Sequence, residues 1–114
     1  MKNQFENLLN DQNITTIKYQ AKYQAYCTIG KEPFTGVIYI IFDPDKKLLE
    51  FESFDRWIAG FNKLKTTIEK LTWIIYGELK STLEPKNLYV RVTAKTVVHN
   101  PAEAIISDYG KEIS

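Results

Sequence analysis

Ile17-Lys18-Tyr19-Gln20-Ala21-Lys22-Tyr23-Gln24-Ala25-Tyr26-Cys27 alternates without a break. Ile17, Tyr19, Ala21, Tyr23, Ala25 and Cys27 fall on one side. Lys18, Gln20, Lys22 and Gln24 fall on the other. A period of two means a strand with one wet face, so Cys27 is expected on the apolar face at the strand's end. The loop Thr28-Ile29-Gly30-Lys31-Glu32-Pro33-Phe34 then leads into Val37 to Phe42, which is apolar on both faces. A strand of that kind is expected to be covered on both sides.

Outward from this pair, Asp43-Pro44-Asp45-Lys46 has the composition of a turn. Lys47 to Ser53 is expected to return as the second strand of a hairpin. Ser53 is the expected cap of a short helix. Phe54, Trp57, Ile58 and Phe61 share one of its faces, and Asp55 suits its first turn. Leu64, Ile68, Leu71, Ile75, Leu79 and Leu83 recur at three and four residues, the signature of a second helix. Thr66-Thr67-Ile68-Glu69 fits a capping box with Thr66 as N-cap and Glu69 at N3. Glu84-Pro85 should end that helix.

Leu88, Val90, Val92 and Ala94 alternate with Tyr89, Arg91, Thr93 and Lys95, giving another half-buried strand. The path through Val97-Val98 continues it or returns as a last strand, and Asn100-Pro101 interrupts. Ser107 to Gly110 reads as a turn and a loose end. Residues 1–14 are expected to be a loose lead-in, with a short helix around Phe5–Leu9 possible, ahead of a single domain over 15–114.

Composition removes several classes of function. The chain has 114 residues, a net charge of +1, one cysteine (Cys27) and one histidine (His99). An internal disulfide, a Cys-rich zinc site and a His-based metal site are therefore not expected. No apolar run approaches the roughly 20 residues that span a bilayer. The expectation is a soluble cytoplasmic domain with no membrane partner. A core this thin would gain from oligomerisation.

The element order, with Cys27 ahead of the apolar strand, resembles the tunnelling fold: a small antiparallel sheet with two helices on one face, an α+β architecture that assembles into an oligomeric barrel. Within it the chain is similar to the 7-cyano-7-deazaguanine nitrile reductases. Tyr23-Gln24-Ala25-Tyr26-Cys27 resembles the aromatic approach to their nucleophilic cysteine. Pro33, Ile38-Tyr39-Ile40, Pro44-Asp45, Lys47, Glu50, Phe61, Glu69 and Pro85 then follow at that family's spacing, ungapped from Cys27. Asp108-Tyr109-Gly110 resembles its Asn-Tyr-Gly after one inserted residue.

The resemblance implies that Cys27 attacks a nitrile and that Glu69 holds a guanine-like base. Glu50 opens the nicotinamide-binding motif, and Glu50 and Phe34 are expected beside the substrate. Departures from the pattern redirect the reading. The family's proton-donating aspartate becomes Phe34, so Glu32 is the candidate stand-in, and a histidine becomes Ile68. Glu52 and Asp55 stand where basic residues should meet NADPH phosphates. Thr96-Val97-Val98-His99 replaces Pro-Arg-Gly-Gly.

A kept nucleophile with a lost hydride site resembles the archaeal branch that forms archaeosine in tRNA with ammonia and without NADPH. That branch keeps the aspartate absent here.

Chemically, a thiolate adds to a nitrile carbon and splits one hard step into two easier ones. Lys31 is near enough in sequence to favour the thiolate. Lys63, Lys65 and Lys70 flank Glu69 and could meet RNA phosphate. Three functions stay open: amidine formation on 7-cyano-7-deazaguanine, free or in tRNA; NADPH-dependent reduction of it; and purine binding or assembly alone. A ring-like homo-oligomer is expected, with Cys27 and Glu69 meeting across a subunit boundary.

Overall fold

The computed structural model describes residues 5–29, 32–96 and 100–110. The long alternating stretch is β2 (Ile17–Cys27), preceded by β1 (Asn7–Leu9) and followed by β3 (Pro33–Asp43) and β4 (Lys47–Leu49). Helix α1 (Phe51–Ala59) runs into a 3-10 turn at Gly60–Lys63. Then come β5 (Lys65–Thr66), α2 (Ile68–Leu83), β6 (Asn87–Ala94) and β7 (Ala102–Ser107). Five strands form one sheet in the order β5-β2-β3-β6-β7, and β1 with β4 forms a second, two-stranded one.

β2 and β3 pair antiparallel from Ile17↔Phe42 to Tyr26↔Pro33. The wet face of β2 is exposed and its other face packs inward, as alternation requires. Tyr23, Ala25, Phe34, Ile38, Ile40, Phe42, Leu88, Val90 and Val92 are buried on the sheet. Phe54 and Ile58 of α1, Phe61, and Leu71, Ile75, Leu79 and Leu83 of α2 cover them. Each fully buried side chain of this size contributes roughly 1.5–3 kcal/mol. The double cover expected for Val37 to Phe42 is only half present. Ile38, Ile40 and Phe42 lie under the helices, whereas Val37, Tyr39 and Ile41 are half-buried on the helix-free face.

Several expectations are corrected. Residues 5–10 are not a loose lead-in and not a helix: β1 pairs with β4, and Phe5, 3% exposed, sets its ring 5.1 Å from both Phe54 and Trp57. β4 therefore returns onto β1 and makes no hairpin with β3. The cap of α1 is Glu50 and not Ser53. Its carboxylate accepts from the Ser53 and Glu52 N–H groups, each at 2.9 Å, while the Ser53 hydroxyl donates to the Glu50 carbonyl and accepts from the Glu6 N–H. Asp55 falls beyond the first turn and accepts the Tyr19 hydroxyl.

Helix α2 starts one residue later than its capping box implies. Thr67 is the N-cap, accepting from the Lys70 N–H at 3.2 Å, because Thr66 is drawn into strand pairing with Cys27. Helix α2 ends at Leu83, and its C-cap Glu84, at positive φ, turns the chain ahead of Pro85. Val97, Val98 and His99 lie outside the described residues, and the last strand comes after Asn100-Pro101.

The tail is held rather than loose. The Asp108 carboxylate accepts the Tyr76 hydroxyl at 2.5 Å, the Leu88 N–H at 2.9 Å and the Lys80 ammonium at 2.6 Å. Partial burial would raise its pKa, but these three donors outweigh burial and hold it below its ordinary value of 3.8. The same contact raises the Lys80 pKa. A depressed carboxylate pKa stabilises the fold above the unfolded value and loses that contribution as pH falls through the folded one. The expected result is a steeper loss of urea midpoint between pH 7 and pH 3 in the wild type than in Asp108→Asn. Equal slopes would remove this carboxylate from the account.

No helix among the described residues is long and apolar enough to cross a membrane.

Candidate active site

Cys27 closes β2, half-buried at the rim of the core. Two backbone arrangements fix it. Its N–H donates to the Glu32 carbonyl at 2.9 Å across the hairpin. On its other side it pairs in parallel with Thr66, and the Thr28 N–H donates to the Thr66 carbonyl at 3.2 Å. Thr66 is followed at once by the Thr67 cap and the first turn of α2. A two-residue strand thus ties the thiol's backbone to the N-terminus of the long helix within one chain.

Glu69 stands in that first turn, exposed, at the second helical position rather than the third. Among the described residues it has no hydrogen-bond or ion-pair partner, so its carboxylate is available to a ligand. β5 brings the Cys27 backbone and the first turn of α2 to one end of the molecule within the chain.

Phe34 lies opposite Ala25, which makes it a diagonal neighbour of Cys27 on the same sheet face. It is 4% exposed, with its ring edge-on to Tyr23. An aspartate in that place would be a buried acid next to the thiol. The phenyl ring instead makes an apolar wall. Glu32 is exposed and directly across the hairpin from Cys27. Lys31 lies outside the described residues.

Glu50 is not brought to this end. Phe51, next to it, stacks on Tyr19 with ring centroids 4.3 Å apart. Tyr19 is eight residues up β2 from Cys27, roughly 26 Å of strand. Two backbone N–H groups hold the Glu50 carboxyl below its ordinary range, as suits a cap. Its opposite-end neighbours Glu52 and Asp55 are also occupied: Glu52 faces Arg56 at 4.0 Å, and Asp55 accepts the Tyr19 hydroxyl at 2.7 Å. Burial and that carboxylate together push the Tyr19 pKa up to about 12.

A groove of about 770 Å³ opens between the helices, walled by Trp57, Phe61, Trp73 and Tyr76. Its lining contains Glu78 but neither Cys27 nor Glu69, so its size does not make it the reactive centre. Among the described residues no group of three His, Cys, Asp or Glu side chains is arranged to hold a metal ion.

The geometry therefore offers a thiol with an exposed carboxylate opposite it, an apolar wall beside it and a second carboxylate on the adjoining helix turn. No protein-family model and no curated protein matches the sequence. The fold, however, has a solved counterpart. The crystal structure of the archaeosine synthase QueF-like in the apo form superposes with a TM-score of 0.78, covering 86% of this chain and 97% of that one at 15% identity. The chain has the tunnelling fold of that protein.

Proposed function

We propose that this protein modifies tRNA by converting the nitrile of a 7-cyano-7-deazaguanine base to an amidine. The Cys27 sulfur adds to the nitrile carbon, and the thiol proton's equivalent goes to the nitrogen, giving a thioimide. Glu32 supplies that proton in place of the absent aspartate. Ammonia then adds to the same carbon, the C–S bond breaks, and the thiol is regenerated. No electrons are transferred, so no NADPH is required. Glu69 accepts from the ring N–H and the exocyclic amine of the base, a two-donor edge that suits a carboxylate.

The observation that carries this reading is the β5 pairing, which joins the Cys27 backbone to the helix turn holding an unpartnered Glu69. The fold shared with an archaeosine synthase supports it. Phe34 is the observation favouring the alternative, a protein that binds the base without turning it over. Reduction by NADPH is the weaker alternative, because Glu52 and Asp55 would oppose cofactor phosphates.

The testing experiment supplies tRNA carrying the nitrile base together with ammonium and no NADPH, followed by nucleoside mass spectrometry. The nucleoside should become heavier by one ammonia. An unchanged nucleoside without NADPH, but an amine product with it, would restore the reductase reading. Unchanged nucleoside under both conditions would leave binding alone.

Glu69→Gln separates recognition from folding. The cap belongs to Thr67, so the substitution should cost only the helix-dipole contribution, about 0.3–1 kcal/mol. The amide keeps one acceptor and presents a donor where two acceptors are needed, so base affinity should fall at least about tenfold. Titration of the free base against both proteins checks this. Equal affinity would limit Glu69 to the helix turn.

Assembly is expected through sheet edges. β5 covers only Tyr26 and Cys27 of β2, and β7 leaves its outer edge open with Ile105 exposed. Open edges of this kind pair with further strands. Light scattering should give a homo-oligomer at micromolar concentration, and a monomer would remove the ring.

A further inference from the structure

The helix-free face of the sheet carries charge that the chemistry at Cys27 does not use. β2 presents Lys18 and Lys22 there, both exposed. β6 presents Arg91, and Lys95 extends its line, bridged to Thr35. Between these two lines β3 lays a strip of half-buried Val37, Tyr39 and Ile41. The register sets Gln20, Tyr39 and Arg91 abreast, with Lys18 and Lys22 one row to either side.

Four residues of strand separate Lys18 from Lys22, and Arg91 from Lys95, roughly 13 Å in each case. The two lines are two strand spacings apart, roughly 10 Å. Four cations thus frame an apolar and aromatic strip. Glu103, on β7 just outside this frame, meets Arg91 at a long 3.4 Å in an exposed pair. Asp43, at the end of β3, is engaged by Thr16 and Asn87. Four positive charges against the Glu103 and Asp43 carboxylates leave a local excess of about two in a chain of net charge +1.

From this pattern we infer that the helix-free face binds single-stranded RNA, with phosphates on the two cationic lines and unpaired bases over the β3 strip. The inference rests on the reading that RNA is the substrate. The Arg91 guanidinium carbon lies 4.0 Å from the Tyr39 ring centroid, and a planar guanidinium beside an aromatic ring is a surface on which a base can stack. A duplex keeps its bases inside and would use only the lysines. A second copy packed face to face would set lysine against lysine. Edge-to-edge assembly would leave the face uncovered.

The test is fluorescence anisotropy with the whole protein, using a labelled, unstructured, unmodified RNA and a duplex of equal length. The single strand should bind more tightly. Lys18→Ala/Lys22→Ala should weaken it at least about tenfold and flatten the salt dependence of log K by about 1.4, two contacts at about 0.7 each. Arg91→Lys, which keeps charge but loses the flat stack, should narrow the preference for single strand over duplex. Glu103→Gln should tighten binding.

Absence of single-strand binding, equal binding of duplex or polyglutamate, or an unchanged Lys18→Ala/Lys22→Ala variant would each overturn the inference. Adduct formation on the free base should be normal in the sheet-face variants. Failure of the RNA face is therefore distinguishable from failure of the nitrile chemistry.

Discussion

Gly36→Ala is expected to destabilise the protein by about 3 kcal/mol or more, the combined range for overpacking and for an orphaned buried hydrogen bond. A Cβ at Gly36 would sit 1.9 Å from the Thr93 carbonyl oxygen and 2.7 Å from its carbon. Both are backbone atoms of the paired strand, so a rotamer change cannot relieve the clash. That carbonyl is also where the Tyr23 hydroxyl donates, at 2.6 Å, reaching over the glycine from β2. Burial raises the Tyr23 pKa, so its hydroxyl remains a donor. The Val37 N–H meanwhile uses the Thr93 hydroxyl at 2.9 Å. A methyl group would break this crossing of three strands at once. Tyr23→Phe keeps the ring against Phe34 and loses only the donor, so it should cost about 1–3 kcal/mol. Urea unfolding measures both. A Gly36→Ala midpoint equal to wild type would show that the crossing is not formed.

The second large effect is chemical. Cys27→Ala should abolish turnover while leaving the fold within about 1 kcal/mol of wild type, because the side chain is small and only half-buried. The bonds that shape the hairpin end use the Cys27 backbone and survive the change. Cys27→Ser should also be inactive within measurement, since a hydroxyl of ordinary pKa adds poorly to a nitrile. Residual turnover in the alanine protein would assign the reaction to another group.

β2, β6 and both helical faces were legible because each has a single wet side. The strict alternation of β2 and the spacing from Leu71 to Leu83 need no partner to be read. What failed locally failed for nonlocal reasons. Ser53 is a better intrinsic cap than Glu50, but β4 enters α1 already paired with β1, and the Glu50 carboxylate reaches back to two N–H groups. Thr66 is as good a cap as Thr67, but it is held by Cys27, thirty-nine residues earlier in the chain. The order of Phe5 depends on the Phe54 and Trp57 rings, and that of the tail on Tyr76, Lys80 and Leu88.

The candidate site was legible only in part. The strand end exposes Cys27 to inspection, and the resemblance singles out Glu69. The two-residue β5 that joins them has no sequence signal of its own. Glu50 was drawn in by spacing, and the fold carries it to the far end of β2, where it caps a helix. The charged sheet face was hidden in plain alternation: Lys18 and Lys22 read as a solvated side until the register set Arg91 and Tyr39 beside them.

The central claim is that Cys27 is the nucleophile for a nitrile. Its most direct test is the intact mass of the wild-type protein after incubation with 7-cyano-7-deazaguanine, as free base and within tRNA, without ammonia or NADPH. The account predicts a mass increase equal to one substrate molecule for at least one of the two, absent in Cys27→Ala. An unchanged mass with both substrates would contradict it.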